Sequence, residues 1–201
     1  AKKSKSSVVI HVVTKKGRGY KYAENDFKGN WHGIAPFNIV DGTIKTPPPK
    51  DKISWSKMVA DHIELNMSKD KDIVAITPAM IHGSCMDDIF EHFPNRSFDV
   101  GIAEEHALTF TAGLAIAKKK PFISVYSSFL QRAYDQINHD IARMDLGCLI
   151  CVDRCGFVGA DGPTHHGVFD LGILNPLPNV IICTPSNSCL LYTSPSPRDT
   201  R

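Results

Sequence analysis

The sequence predicts an α/β fold, a parallel sheet in three layers with helices on both faces. Two observations carry this expectation. From residue 54 onward, short apolar runs of strand length alternate with helix-length segments, the pattern of βαβ units. Hydrophobic residues make up 42% of the 201 residues, enough for a packed core and too many for wholesale disorder.

The elements follow in order. The β-branched run at 7–14 is predicted as a strand. Lys15 to Ile53 is polar, carries five glycines before the Pro47-Pro48-Pro49 run and shows no sustained period, so it is predicted to be an interdomain crossing segment. Trp55, Met58, Val59, His62 and Leu65 recur at helical spacing behind Ser54, a residue suited to capping. Residues 72–77 (DIVAIT), 97–102 (SFDVGI), 122–126, 148–152 and 180–183 are predicted as strands. Helices are expected over 86–93, 104–119 and 129–144. The second opens with acidic residues and closes with three lysines, as the helix macrodipole favours.

Composition excludes several classes. A formal net charge of +2 is too small to hold nucleic acid or a membrane surface by bulk field. No apolar run approaches the roughly 20 residues of a spanning helix. The N-terminal lysines precede too short an apolar stretch, with no small-residue cleavage site, for a secretory signal. Cys148 and Cys151 have redox-motif spacing but fall on a predicted strand. Residues three apart on a strand point to opposite faces, so reduced, buried thiols are expected. Ser188 to Arg201 (SCLLYTSPSPRDTR) abandons the pattern and is expected to be translated adapter or read-through sequence.

In parallel sheets chemistry gathers at the carboxyl ends of strands. That rule selects Gly101–His106, Tyr126–Arg132 and Asp153–Gly167. Glu104 sits where a strand gives way to a helix. Alone, it would be read as a carboxylate on a helix dipole. The third stretch is polar and glycine-rich, which lets backbone approach a ligand.

Residues 98–117, FDVGIAEEHALTFTAGLAIA, resemble the glutamate-bearing region of transketolase-like thiamine enzymes. YSSFLQRAYDQINHD, VDRCGFVGADGPTHHGVFDL and the upstream TKKGRGYKYAENDFKGNWHGIAPF extend the likeness over about residues 8–187 and resemble the 1-deoxy-D-xylulose-5-phosphate synthase family. The resemblance implies a division of the chain. Residues 1–20 would end the diphosphate-binding domain, 21–53 would link domains, and 54–187 would form the pyrimidine-binding domain.

The resemblance also implies roles. Glu104 matches the glutamate that bonds N1′ of the aminopyrimidine of thiamine diphosphate and favours its imino tautomer. Phe129 matches the aromatic packed on that ring, and Tyr126 lies beside it. Tyr126 and Arg132 match positions on the substrate side, and Arg154 matches an arginine that binds the substrate phosphate, to which a guanidinium fork is suited. Asp161 and His165 match residues near the reacting carbon, and His32 matches a proton-transfer histidine from the interdomain segment. His166 stands where the family more often has Gln and is assigned no role. Mg²⁺ would hold the diphosphate through a Gly-Asp-Gly and Asn motif expected in the N-terminal domain. Asp161-Gly162 with Asn187 lacks the preceding glycine, so no metal ligand is expected here. The implied substrates are pyruvate and D-glyceraldehyde 3-phosphate, the implied assembly is a homodimer, and the implied compartment is the bacterial cytoplasm or a plastid. A piece lacking both flanking domains would be inactive alone. Transketolase, a 2-oxoacid dehydrogenase β subunit, a non-catalytic module of the same fold and a Cys/His metal module remain the alternatives.

Overall fold

The computed structural model describes residues 1–26, 31–45, 52–159 and 161–193. Its contacts divide the chain into two units, Ala1–Lys52 and Ile53–Arg201.

In the first unit the expected strand at 7–14 is absent. Val9 and Val13 are 95% and 83% exposed, and no strand pairs with this run among the described residues. β-branched composition favours extended backbone, but a strand exists only where a partner takes its hydrogen bonds. The segment expected to be irregular is partly built. A short helix, α1 (Lys21–Glu24), brings Tyr20 and Tyr22 against Trp31. Phe37 meets Trp31 edge to face at 4.7 Å between ring centroids. Pro47 to Pro49 lie outside the described residues.

The second unit opens with α2 (Trp55–Lys69), capped by Ser54, whose Oγ accepts from the Lys57 N–H at 3.1 Å. The face it buries is Ala60, Ile63 and Met67, not the one through Trp55 and Leu65, which are 46% and 42% exposed. Both sets have helical spacing. Periodicity predicts the helix, and packing against the sheet selects the face.

Four parallel strands follow: β1 (Ile73–Thr77), β2 (Ser97–Asp99), β3 (Lys120–Tyr126) and β4 (Leu149–Asp153), in the order β2-β1-β3-β4. Between β1 and β2 lies α3 (Asp87–His92). Between β2 and β3 lies α4 (Glu104–Ile116), which stops earlier than expected. Lys118 turns into left-handed backbone (φ 66°), and Lys119 and Lys120 pair with Asp72 and Asp70 instead of closing the helix.

After β3 the expected helix over 129–144 begins two residues early and changes pitch. α5 (Ser127–Leu130) passes through a 3₁₀ turn (Gln131–Ala133) and α6 (Tyr134–Gln136) into a π-helical stretch (Ile137–Ala142). Winding changes of this kind rotate successive side chains. Here they keep Ala133, Ile137, Ile141 and Ala142 all facing the core, each at most 5% exposed. The run at 180–183 forms no strand. Val180 packs against the core, but Ile181 is 67% exposed, and no strand pairs with this run among the described residues. α7 (Asp170–Leu174) precedes it, and α8 (Ser188–Thr193) ends the described chain, within the tail expected to be adapter or read-through sequence.

The sheet separates two apolar clusters. Ile76, Ile123, Val125, Ile150 and Val152 face α4 and the segment after β3, and Ile73, Ala75, Phe122 and Cys151 face α2 and α3. Cys148 joins the first cluster and Cys151 the second, on opposite faces as strand alternation requires. Burial pushes both thiols up to about 12. Each large side chain fully buried in these layers contributes about 1.5–3 kcal/mol.

Arg96 ties the edge of the sheet together, donating to the carbonyls of Met67, Asp70 and Ile73 at 2.8, 2.9 and 3.2 Å. Removing a half-buried charged donor strands three acceptors at once. Arg96→Ala is expected to lower the unfolding free energy by about 2–3 kcal/mol in urea denaturation. An unchanged midpoint would mean that water replaces the guanidinium without loss.

Candidate active site

All four strands run the same way, so their carboxyl ends share one rim. β2 ends at Asp99, and a four-residue turn leads to Glu104 at the first position of α4. The Asp99 carboxylate holds that turn by accepting from the Gly101 N–H at 2.9 Å. It also accepts from the Ala79 N–H at 2.8 Å, tying in the loop after β1.

The Glu104 side chain is 2% exposed. Its one hydrogen-bonding partner among the described residues is Arg132, whose Nη1 donates to Oε2 at 3.1 Å. The pair is lopsided, because the Arg132 side chain is 55% exposed. A carboxylate so enclosed requires a partner, and deleting one leaves a charge buried alone. Arg132 reaches it from the 3₁₀ turn, and Thr109 Oγ1 donating to Asp140 at 2.7 Å fixes α4 against the π-helical stretch.

The neighbouring strands supply a second group. Tyr126, the last residue of β3, is in register with Asp153, the last of β4. Arg154 follows in left-handed backbone (φ 60°), which turns its side chain back over Tyr126. The guanidinium carbon lies 4.9 Å from the Tyr126 ring centroid, and Nη2 donates to the hydroxyl at 3.3 Å. On its other side Arg154 Nε lies 3.5 Å from Asp161 Oδ2, an ion pair without the alignment of a hydrogen bond. The Tyr126 and Phe129 rings stack within 15° of parallel at 5.7 Å, and His165 meets Phe129 edge to face at 5.5 Å. Asp161, Arg154, Tyr126, Phe129 and His165 thus form a continuous chain of contacts.

Of the predicted site residues, the rim gathers Glu104 with Arg132, and Tyr126, Phe129, Arg154, Asp161 and His165 as a second set. His32 lies in the first unit, where its Nδ1 is 2.9 Å from Lys16 Nζ. His166, assigned no role from sequence, braces its own loop, since Nδ1 accepts from the Val158 N–H at 3.0 Å.

Three supporting contacts lie beyond those expected from sequence, one of them within the glycine-rich stretch already selected. Ser127 donates to Asp170 at 2.7 Å. Gly156 and Gly167 exchange backbone hydrogen bonds at 2.6 and 2.8 Å, closing the glycine-rich loop. The loop after β1 comes against the Tyr126 hydroxyl at Gly83. The rule that selects strand ends applies equally to β1, so its loop was legible by position.

The family model for the transketolase pyrimidine-binding domain matches residues 51–191. The chain belongs to the transketolase pyrimidine-binding domain family. Among curated relatives, the 1-deoxy-D-xylulose-5-phosphate synthase of Lysinibacillus sphaericus is 52% identical over 187 residues, covering 93% of this chain and 29% of that protein. The synthase of Bacillus cytotoxicus is 48% identical over 198 residues, covering 96% and 31%. The chain therefore spans about three-tenths of the length of the curated relatives it matches. Among solved structures, a transketolase from Campylobacter jejuni shares the fold at TM-score 0.63 and 14% identity, covering 74% of this chain and 24% of that one. A split-gene transketolase, described as an inactive β4 tetramer, matches at TM-score 0.56 and 26% identity, covering 64% and 41%.

Burial raises the pKa of the Tyr126 hydroxyl above the ordinary phenol value, and the Arg154 guanidinium opposes that rise. Tyr126 is therefore expected to ionise at higher pH than an ordinary tyrosine. Arg154→Ala should push it higher still, because the positive charge that favours the phenolate is gone. Ultraviolet difference titration against Tyr126→Phe isolates this phenol, and an ordinary titration range would contradict the buried setting.

Proposed function

We propose that this chain is the pyrimidine-binding segment of a 1-deoxy-D-xylulose-5-phosphate synthase. The whole enzyme would join pyruvate to D-glyceraldehyde 3-phosphate, release CO₂ and form 1-deoxy-D-xylulose 5-phosphate. The names of the relatives support the product, 1-deoxy-D-xylulose 5-phosphate, and the two substrates rest on the family resemblance. The observation that carries the reading is the Glu104 carboxyl, enclosed at the rim of a parallel sheet whose β3 end carries the stacked Tyr126 and Phe129 rings.

The residues present fit thiamine diphosphate. Glu104 Oε2 is engaged by Arg132, and Oε1 has no partner among the described residues, leaving an oxygen that can share a proton with a ring nitrogen. Phe129 offers a half-buried aromatic face. When bound, the cofactor supplies the nucleophilic carbon that the protein lacks.

This chain's own residues would then divide the work. Glu104 would hold a proton at the pyrimidine nitrogen, and Arg132 would keep the carboxyl oriented. Arg154, oriented by Asp161 and the Tyr126 hydroxyl, would bind the phosphorylated aldehyde. His165 would serve proton transfer on the far side of Phe129, and His32 would add a second proton-transfer group from the first unit. The same reading has Mg²⁺ held by residues outside this chain, a homodimeric assembly and a cytoplasmic site of action. It also has residues 188–201 as foreign sequence. The first three rest on the family resemblance, and the last on the change of composition after Asn187.

In the full-length protein Glu104→Gln is expected to lower kcat by about 100-fold or more while circular dichroism stays unchanged. Full activity would leave a non-catalytic module as the better reading. Arg154→Met should raise KM for glyceraldehyde 3-phosphate by about tenfold or more, with a smaller effect on KM for pyruvate. If the enzyme carried out only two-carbon ketol transfer, a transketolase assignment would replace this one.

A further inference from the structure

The loop after β1, Pro78 to Met86, is the one strand-end segment to which no role has been given. It is tightly fixed. Ala79 and Cys85 both adopt left-handed backbone (φ 60° and 55°), conformations that cost non-glycine residues energy and persist where surrounding bonds impose them. The Ser84 and Met86 N–H groups donate to Met80 and Ile81 at 2.9 and 2.8 Å, and the Ala79 N–H donates to Asp99 at 2.8 Å. Met80, Ser84 and Met86 are buried, at 8%, 3% and 0% exposure.

Gly83 sits at the crest of this loop, and its backbone is not in the left-handed region. Conformational freedom therefore does not explain a glycine there. Space does. A β-carbon at Gly83 would lie 2.1 Å from the Tyr126 hydroxyl oxygen and 3.0 Å from its Cζ. The hydroxyl occupies the place a side chain would take. The Arg154 Nη2 that donates to that hydroxyl approaches from the β4 side.

We propose that Gly83 is a positioning residue. By lacking a side chain it seats the Tyr126 hydroxyl where Arg154 can donate to it, and so sets the reach of the arginine toward a phosphorylated acceptor. This rests on the acceptor-side reading of Tyr126 and Arg154 given above. Any side chain at position 83 would displace the hydroxyl, because the loop is pinned at both ends and cannot retreat.

The test is a double-mutant cycle in the full-length protein, using Gly83→Ala, Tyr126→Phe and the two combined. Removing the hydroxyl removes the severe overlap and leaves the ring contacts with Cζ at 3.0 Å and Cε1 at 3.4 Å. Gly83→Ala is expected to raise KM for glyceraldehyde 3-phosphate by about tenfold, more than it raises KM for pyruvate, and by less than about twofold when Tyr126→Phe is already present. An equal effect in both backgrounds, or none in the first, overturns the proposal. Should Gly83→Ala fail to fold, adding Tyr126→Phe must restore soluble protein, and failure to do so overturns it equally. Titration of the Tyr126 phenol gives a readout independent of turnover. Gly83→Ala should move it toward the ordinary tyrosine range as the hydroxyl leaves its buried seat, and an unmoved titration contradicts the displacement. If Tyr126→Phe alone leaves the acceptor KM unchanged while that titration moves, the acceptor-side reading fails and the seat for the hydroxyl stands.

Discussion

The register between β3 and β4 is the constraint on which the rest of the rim depends. Tyr126 pairs with Asp153, so both strands finish level and the next residue, Arg154, starts its loop beside the Tyr126 ring. A slip of one residue would carry every side chain of the shifted strand to the opposite face. Ile150 and Val152 would leave the cluster under α4, and Cys151 would enter it. The two apolar clusters forbid this, because each already matches the residues it receives. Core packing, far from any chemistry, thereby fixes the position of Arg154 relative to Tyr126.

The enclosed carboxyl imposes a second requirement. Glu104 needs a cation close by, and that cation comes from a segment that cannot be a regular α-helix. Within 127–142 the winding passes from α through 3₁₀ and back to α before it becomes π. This lets Ala133, Ile137 and Ile141 all face the sheet while Arg132 remains at the surface and directs its guanidinium at Oε2. Winding irregularities of this kind cluster at functional sites. Here the core and a buried charge make competing demands on one stretch of chain, and the change of pitch satisfies both.

Much of this was legible in the sequence. The four strands between Ile73 and Asp153 were expected within a few residues, because short apolar runs bounded by turn residues and long helices leave few other readings. The runs at 7–14 and 180–183 have the same composition and form no strand, since composition cannot say whether a partner strand exists. Glu104, Tyr126, Phe129, Arg132, Arg154, Asp161 and His165 were named from strand-end position and family likeness together. Gly83, Ser127 and Asp170 were not, for a physical reason. Their contribution is to fit against another element, and a glycine whose importance is the atom it lacks leaves no mark on local periodicity.

The proposed function gives the stacked pair Tyr126 and Phe129 a particular importance. One ring belongs to the end of β3, the other to the first turn of α5, and the chain between them is only two residues long. On that reading Phe129 would pack on the thiamine pyrimidine, and Tyr126, which contacts Arg154, would lie on the acceptor side. The rings are 15° from parallel, so a tilt of either is transmitted to the other through van der Waals contact rather than absorbed. A reaction that must bring a cofactor-bound carbon to an aldehyde carbon requires the two binding regions to be fixed relative to each other, since small misplacement is costly in rate. Building both from one strand-to-helix turn would achieve this with few residues. On the same reading, slack in the loop after β1, which meets Tyr126 at Gly83, would reach the cofactor side through the same pair of rings.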